Sequence, residues 1–369
     1  MRILVVSRSF YPEISPRAFR TTELVKELSR QGHEVVFYTF KNDDYHLEFE
    51  NKYNVTIKDL GQLRLKSVPL DGYRGISYLL RRIISRVLLM LFEYPMIELL
   101  WKVSSALKSE KDYHLLISIA VPFPVHWGVA KARNKKNPIA KVWVADCGDP
   151  YMGDTNDSFR KLFYFKYVEK WFCRKADYIS VPRIEMKINY YSEFHHKIIE
   201  IPQGFNFEEL KFNQKRLTKN VVPTFAFAGG FFKGKRDPSA FMQFLCSVDS
   251  AFKFIVYTET PSMILPFKEK LGKKMEIRKY IPREELLPIL NTMDFLINIG
   301  YDPAVQSPSK LIDYHLSGRP VLSFNSDFNE ADRLHFNEFL VKDYKNQLIF
   351  KDMDKFNISN VARQFVELK

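Results

Sequence analysis

Residues 2–39 read RILVVSRSFYPEISPRAFRTTELVKELSRQGHEVVFYT, and the periods in this stretch point to a fold class. Ile3–Val6 is a short apolar run with strand character, and Ser7–Ser15 is a loop. Pro16–Arg30 then carries a helical period, with Ser15-Pro16 as cap and first-turn proline and Gly32 where the helix stops. Val35–Thr39 is a second strand. Strand, loop, helix and strand in this order open an α/β fold.

The alternation continues through strand-like runs at Leu115–Ala120, Ile139–Ala145, Tyr178–Val181 and Lys197–Ile201, separated by stretches of helical length. Such alternation predicts a parallel sheet covered by helices. It pauses at Ile201-Pro202-Gln203-Gly204-Phe205-Asn206, and Phe207–Val222 is polar and charged before a new strand at Thr224–Ala228. A domain boundary is expected here, giving domains over residues 1–204 and 205–350. Strands at Lys253–Tyr257, Met275–Tyr280, Phe295–Ile299 and Val321–Phe324 repeat the scheme in the second half. Residues 351–369 end in a helical pattern, with Val361, Phe365 and Val366 on an apolar face expected to pack back on the first domain.

The chain has 369 residues, 46% of them hydrophobic and 15% aromatic, too apolar for a disordered or fibrous protein. Cys147, Cys173 and Cys246 are odd in number and without a C-x-x-C pair, so neither a disulfide framework nor a structural zinc site is encoded, and a reducing compartment is expected. No signal-peptide core is read at the amino terminus, and Gly75–Trp101 carries Arg81, Arg82, Arg86, Glu93 and Glu98, which argues against a spanning helix. That stretch reads either as an interfacial helix on an anionic membrane surface or as a core-facing helix pair with its arginines outward. The predicted location is cytoplasmic, peripheral at the membrane face.

Lys and Arg number 56 against 43 Asp and Glu, a net charge of +13. A surplus of this kind suits nucleic acid, anionic lipid or a phosphorylated ligand. No helix-turn-helix, zinc-finger, RNP or basic-zipper pattern is present, so nucleic acid is not expected as a partner. The pair His195-His196 has no further ligand at suitable spacing, and no metal site is predicted.

In open parallel sheets, ligands bind beyond the carboxyl ends of the strands, so the loops after the strands carry the candidates. Ser7–Arg17 leads into a helix start where Arg17 and free N–H groups can meet an anion. His126, Asp146 and Asp149 follow two apolar strands and are read as facing one cleft, as hydroxyl-binding or proton-accepting groups. Gly229-Gly230 with Lys233, Lys235 and Arg236 combine close backbone approach with positive charge, which suits a diphosphate. Pro308-Ser309-Lys310 opens a helix for phosphate oxygens, and Asp313 one turn on is placed for ribose hydroxyls.

These residues, in this order, resemble glycosyltransferase family 4. The resemblance rests on Phe10-Tyr11-Pro12, Gln31-Gly32-His33-Glu34-Val35, Asp146–Asp149, the Ile201–Asn206 linker, Ala228–Pro238 and Pro308–Tyr314 with Gly318-Arg319-Pro320-Val321. It implies the GT-B architecture of two facing Rossmann-like domains with parallel sheets, the acceptor held by the first and the nucleotide sugar by the second. It further implies a retaining, metal-independent transfer of a hexosyl or related sugar from a nucleoside diphosphate to an acceptor hydroxyl, with no cofactor beyond that donor. Arg236, Lys310, Ser309, Gly230, Lys235 and Arg17 would bind the diphosphate, Asp313 the ribose, and Asp146, Asp149 and His126 would lie near the reacting carbon. The acceptor would be a glycan or lipid-linked molecule of cell-surface polysaccharide or glycolipid synthesis.

The pattern departs from the family at three places. Ser15-Pro16-Arg17 stands where a glycine pair is frequent; Val305 and Asp313 stand where two glutamates are frequent, with Asp302 the nearest substitute for the first; and Asp146 stands where many members carry histidine. Two alternatives share the architecture, a nucleotide-sugar 2-epimerase and a catalytically silent sugar-nucleotide-binding or scaffold protein.

Overall fold

The computed structural model describes residues 1–154, 160–208, 220–234, 236–300 and 309–368. The chain divides into two compact units, Met1–Phe205 with Asp354–Lys369, and Asn206–Met353.

The first unit runs β1 (Arg2–Ser7), α1 (Pro16–Arg30), β2 (Glu34–Thr39), α2 (Asp43–Tyr53), β3 (Thr56–Asp59), α3 (Gly75–Phe92), α4 (Leu99–Ala106), β4 (Tyr113–Ala120), α5 (Pro124–Ala132), β5 (Ala140–Cys147), α6 (Phe165–Lys175), β6 (Tyr178–Val181) and β7 (Ile198–Glu200). Its strands form one parallel sheet in the order β3-β2-β1-β4-β5-β6-β7. β1 is central, with Ile3 in register with Val35 on one side and Leu115 on the other. The Ser15 hydroxyl caps α1 by accepting from the Ala18 N–H at 3.1 Å, and Gly32 takes φ +81° to turn the chain into β2. One face of the sheet packs on Leu24, Val25 and Leu28 of α1, the other on α4 and α5. The α4–α5 contact is close enough to need Gly128, where a Cβ would stand 2.6 Å from Val103 and 2.9 Å from the Leu99 carbonyl.

The second unit runs β8 (Thr224–Ala228), α7 (Ser239–Leu245), β9 (Lys253–Tyr257), α8 (Leu265–Leu271), β10 (Met275–Arg278), α9 (Arg283–Asn291), β11 (Phe295–Ile299), α10 (Ser309–Ser317), β12 (Val321–Phe324) and α11 (Glu330–Leu340). Its parallel sheet has the order β10-β9-β8-β11-β12. The core is rich in phenylalanine; Phe225, Phe241, Phe254, Phe295 and Phe336 pack ring on ring beneath it. A final helix, α12 (Ile358–Val366), belongs to the first unit, where Ile358, Val361, Ala362 and Phe365 enter the core beside α1. Its start is fixed by backbone bonds between Phe205 and both Phe356 and Ile358.

Strand order reverses in both sheets, at β1/β4 and at β8/β11, and the carboxyl ends of strands at such a reversal are where α/β sheets open a crevice.

Two expectations need correction. The sequence reading has no strand at Thr56–Asp59, which pairs with β2. Residues 75–92 do not make a core-facing helix, since no residue of α3 is buried. Among the described residues, no helix is long and apolar enough to cross a membrane.

Candidate active site

In the second unit the reversal falls between β8 and β11, and α10 is fixed at that point by one side chain. The Tyr314 hydroxyl accepts from the Ala228 N–H at 2.9 Å and donates to the Ile297 carbonyl at 3.1 Å, so one phenol ties the helix to both strands. This presents Lys310, on the first turn of α10, toward the end of β8. Its ammonium lies 3.8 Å from the centre of the Phe227 ring and 5.2 Å from that of Tyr314, where the ring faces offer cation–π attraction. The Nζ is buried and has no hydrogen-bond partner among the described residues. Burial, aided by the charge of Arg236, pushes its pKa well below the usual lysine value. A buried ammonium without an acceptor is costly, and an arriving anion would relieve that cost.

The loop after β8 supplies the second cation. Gly229 has φ +141°, a conformation that side chains resist, and Phe232 and Arg236 close the loop with paired backbone bonds of 3.2 and 2.9 Å. The Arg236 guanidinium donates to the Gly230 carbonyl at 3.4 Å. Lys233 is exposed. Asp313, one turn beyond Lys310, is ion-paired with Arg283 at the start of α9. Lys235, Asp302 and Val305 lie outside the described residues, as does the side chain of Ser309.

In the first unit, Arg17 sits in the first turn of α1 with its guanidinium over Gly148, so closely that a Cβ there would lie 1.1 Å from Nη2. Burial lowers the Arg17 pKa, and Asp149, about half exposed, approaches it to 4.0 Å. Of the two, Asp149 is the group with ready access to solvent.

Asp146 and His126 do not face a cleft, and the expectation that they touch substrate is corrected. Asp146 is an inward-pointing residue of β5, 1% exposed, bound at two points by Arg20 and at 2.7 Å by the Ser180 hydroxyl. Burial alone would raise its pKa, but the Arg20 charge and hydrogen bonds hold it below the usual carboxylate value. His126 lies inside α5 and is fully buried. The Trp143 indole donates to the Ser118 hydroxyl at 2.8 Å; that hydroxyl is 2.8 Å from His126 Nδ1, and Cys147 Sγ is 3.5 Å from Nε2. Desolvation depresses its pKa to about 3, so it is a neutral core histidine rather than a proton acceptor for substrate.

An open hollow of about 450 Å3, lined by Arg64, Leu65, Glu98, Trp101, Lys102 and Ser105, occupies another part of the first unit. None of these residues was singled out in the sequence as a ligand group. Among the described residues no group of three or more His, Cys, Asp or Glu is placed to hold a metal ion.

A sequence profile described as Glycosyltransferase Family 4 matches residues 19–209, just over half of the chain. The chain belongs to glycosyltransferase family 4. No curated protein sequence matches it. Among solved structures it is similar to a glycosyltransferase from Rickettsia africae ESF-5, with TM-score 0.62, 11% identity, and coverage of 99% of this chain and 97% of that one. It is also similar to the lipopolysaccharide outer core galactosyltransferase WaaB in its apo form, with TM-score 0.58, 12% identity, and coverage of 99% and 98%. A third is the UDP-GlcNAc 2-epimerase from Neisseria meningitidis bound to UDP-GlcNAc, with TM-score 0.56, 10% identity, and coverage of 100% and 99%. At such identities these likenesses establish the GT-B fold and nothing finer.

For a family 4 glycosyltransferase, four supporting residues escaped the sequence reading. Arg20 holds Asp146, Tyr314 anchors α10, Phe227 lies under Lys310, and Arg283 meets Asp313. Only Tyr314 had a local signal, as an aromatic residue at the end of the motif that carries Lys310 and Asp313.

Proposed function

We propose that the protein is a retaining glycosyltransferase that moves a hexosyl or related sugar from a nucleoside diphosphate to an acceptor hydroxyl, without a metal. The observation that carries this reading is the buried Lys310 ammonium, which lacks an acceptor among the described residues and lies within the electrostatic reach of Arg236. Two preorganised cations at a helix start stabilise the charge that develops on a departing diphosphate, and they do so best where water is excluded. Gly230 and the backbone of Ser309 complete the cradle, Asp313 takes the ribose hydroxyls, and Lys235 adds charge. Arg17 serves as a further diphosphate group, and Asp149 is the acidic group of the first unit offered to the reacting sugar and acceptor. Asp146 and His126 act as positioning residues beneath it.

The acceptor is proposed to be a glycan or lipid-linked molecule of cell-surface polysaccharide or glycolipid synthesis, met at the cytoplasmic face of the membrane. UDP and UDP-sugars, named with several structural relatives, are the first donors to try.

A thermal-shift screen of nucleoside diphosphates and their sugars tests the donor half, because a ligand that binds only the folded state raises the melting temperature with concentration. Stabilisation by one base, lost in Lys310→Met, is expected; no response to any nucleotide would overturn the reading. Sugar release that depends on an acceptor separates transfer from epimerisation, and the anomeric configuration of the product by NMR tests retention.

A further inference from the structure

The helix α3 is amphipathic in the opposite sense from a helix that completes a core. Ile76, Leu79, Leu80, Ile83, Ile84 and Val87 recur at i, i+3, i+4, i+7, i+8 and i+11, one continuous stripe. All six are exposed, from 39% at Val87 to 77% at Ile76. The face turned toward the protein is the mixed one, with Arg81, Ser85 and Leu88 half-buried and the Arg81 guanidinium stacked 3.7 Å over the Tyr73 ring. An apolar stripe of three turns left in water is far from the scattered single exposures of an ordinary surface.

We infer that this stripe is the surface by which the protein docks on an anionic phospholipid bilayer. Charge decides the occupant. Residues 72–92 hold Arg74, Arg81, Arg82 and Arg86 and no Asp or Glu. Arg82 is exposed on the same helix beside the stripe, where a long side chain reaches lipid phosphates while its stem lies along the apolar edge. A second copy of the helix would bring arginines against arginines with no acid on α3 to offset them. The adjoining surface continues the pattern: the Tyr164 hydroxyl donates to the Leu91 carbonyl, and beside it Phe163 and Tyr167 are 72% and 61% exposed among Arg160, Lys161 and Lys166. Exposed aromatics among cations suit the headgroup level of a bilayer.

The helix is also tied to the candidate active-site loop. Glu93, directly after α3, is buried and accepts from the Tyr151 hydroxyl at 3.0 Å and from the Lys161 ammonium. Tyr151 follows Asp149 by two residues, so a docked α3 holds that loop at a set height above the lipid. The inference rests on the proposed lipid-linked acceptor for its purpose, but its physics is independent of the donor.

Flotation of the full chain with vesicles is the test. At low ionic strength the protein should float with vesicles of equal parts phosphatidylcholine and phosphatidylglycerol, stay behind with phosphatidylcholine alone, and detach in high salt. Ile83→Glu with Ile84→Glu should lower the bound fraction about tenfold or more, with unchanged circular dichroism, since both side chains are half exposed. Arg82→Glu, a milder change, should cut anionic-vesicle binding several-fold. Absence of wild-type binding, or equal binding by all variants, would overturn the inference. So would a lipid-free dimer that the double variant abolishes, because a second copy would then be the occupant. Nucleoside-diphosphate binding in solution should be the same in all of these variants, so a failure of the donor reading would appear there and not in flotation.

Discussion

Arg20 and Asp146, 126 positions apart in the chain, form a two-point ion pair in which Nε and Nη2 donate to the two carboxylate oxygens at 2.5 and 2.6 Å. Their side chains are 4% and 1% exposed. Arg20 also donates to the carbonyls of Pro202 and Ile201, at 2.7 and 3.2 Å, so one guanidinium joins α1, β5 and the end of the first stretch of this unit. Removing one partner of a buried pair leaves the other charge uncompensated. Arg20→Leu should therefore cost about 3–5 kcal/mol in urea denaturation. Arg20→Lys should recover little, because an ammonium cannot span both oxygens and two carbonyls.

Lys310 should show a conflict between stability and function. Lys310→Met keeps the apolar stem over Phe227 and removes an ammonium that has no acceptor among the described residues. The apo protein should gain about 1–3 kcal/mol, read as a higher melting temperature, while stabilisation by nucleoside diphosphate largely disappears. A variant that lost stability and kept nucleotide binding would contradict the placement of this residue at the diphosphate.

Gly148→Ala tests the seat of Arg17. The new Cβ would displace the tip of a flexible side chain rather than backbone, so stability should change by less than about 1 kcal/mol. The guanidinium must nevertheless leave its place beside Asp149. Transfer kinetics of Gly148→Ala should match those of Arg17→Ala, although position 148 offers no side chain to a ligand.

Glu169, on α6, gives a pH signature. Its Oε2 finds no partner among the described residues, and burial raises its pKa from 4.5 to about 7. A raised pKa means the folded state holds the proton more tightly, so this contribution is full below 4.5 and is lost as pH rises through 7, by up to about 1.4 kcal/mol per unit. His126 acts in the opposite direction. With its pKa depressed from 6.5 to about 3, the unfolded state takes the proton first, and stability falls as pH drops below 6.5. Between 4.5 and 6.5 the two slopes oppose each other. Glu169→Gln should accordingly gain on the wild type between about pH 5 and about pH 8 in denaturant titrations. A constant difference across that range would mean that burial does not raise the pKa of Glu169 in the folded protein.

The fold was legible because its determinants are local. Ser15, Pro16 and Gly32 bracket α1, and the buried strands β1, β8 and β9 each carry an unbroken apolar run, at Ile3–Val6, Phe225–Ala228 and Phe254–Tyr257. β3 was not, because of its four residues Thr56-Ile57-Lys58-Asp59 only Ile57 is buried, and its strand character comes from pairing with β2. The candidate site was legible where charge and glycine sit together in one loop, as at Gly229–Arg236. It was misread at His126 and Asp146 because a residue near a strand's carboxyl end can point into the core as readily as out of it. What decides the matter for Asp146 is Arg20, 126 positions away in the chain, and no local pattern announces a partner that distant. The stripe on α3 was visible as a period, but a period does not state which side of a helix meets the protein.

The placement of α12 bears on the order of synthesis. Ile358, Val361, Ala362 and Phe365 complete a core whose other buried residues precede Phe205, and the whole of the second unit lies between them. A ribosome adding roughly 5–20 residues per second leaves the core of the first unit unfinished for on the order of ten seconds while the intervening unit emerges. During that interval the apolar bed of α12, with Ile201 and the inner side of α1, has nothing of its own chain to cover it. A nascent chain stalled before Ile358 should therefore be a client for cellular chaperones, while the second unit, contiguous in sequence, can close as soon as it is released.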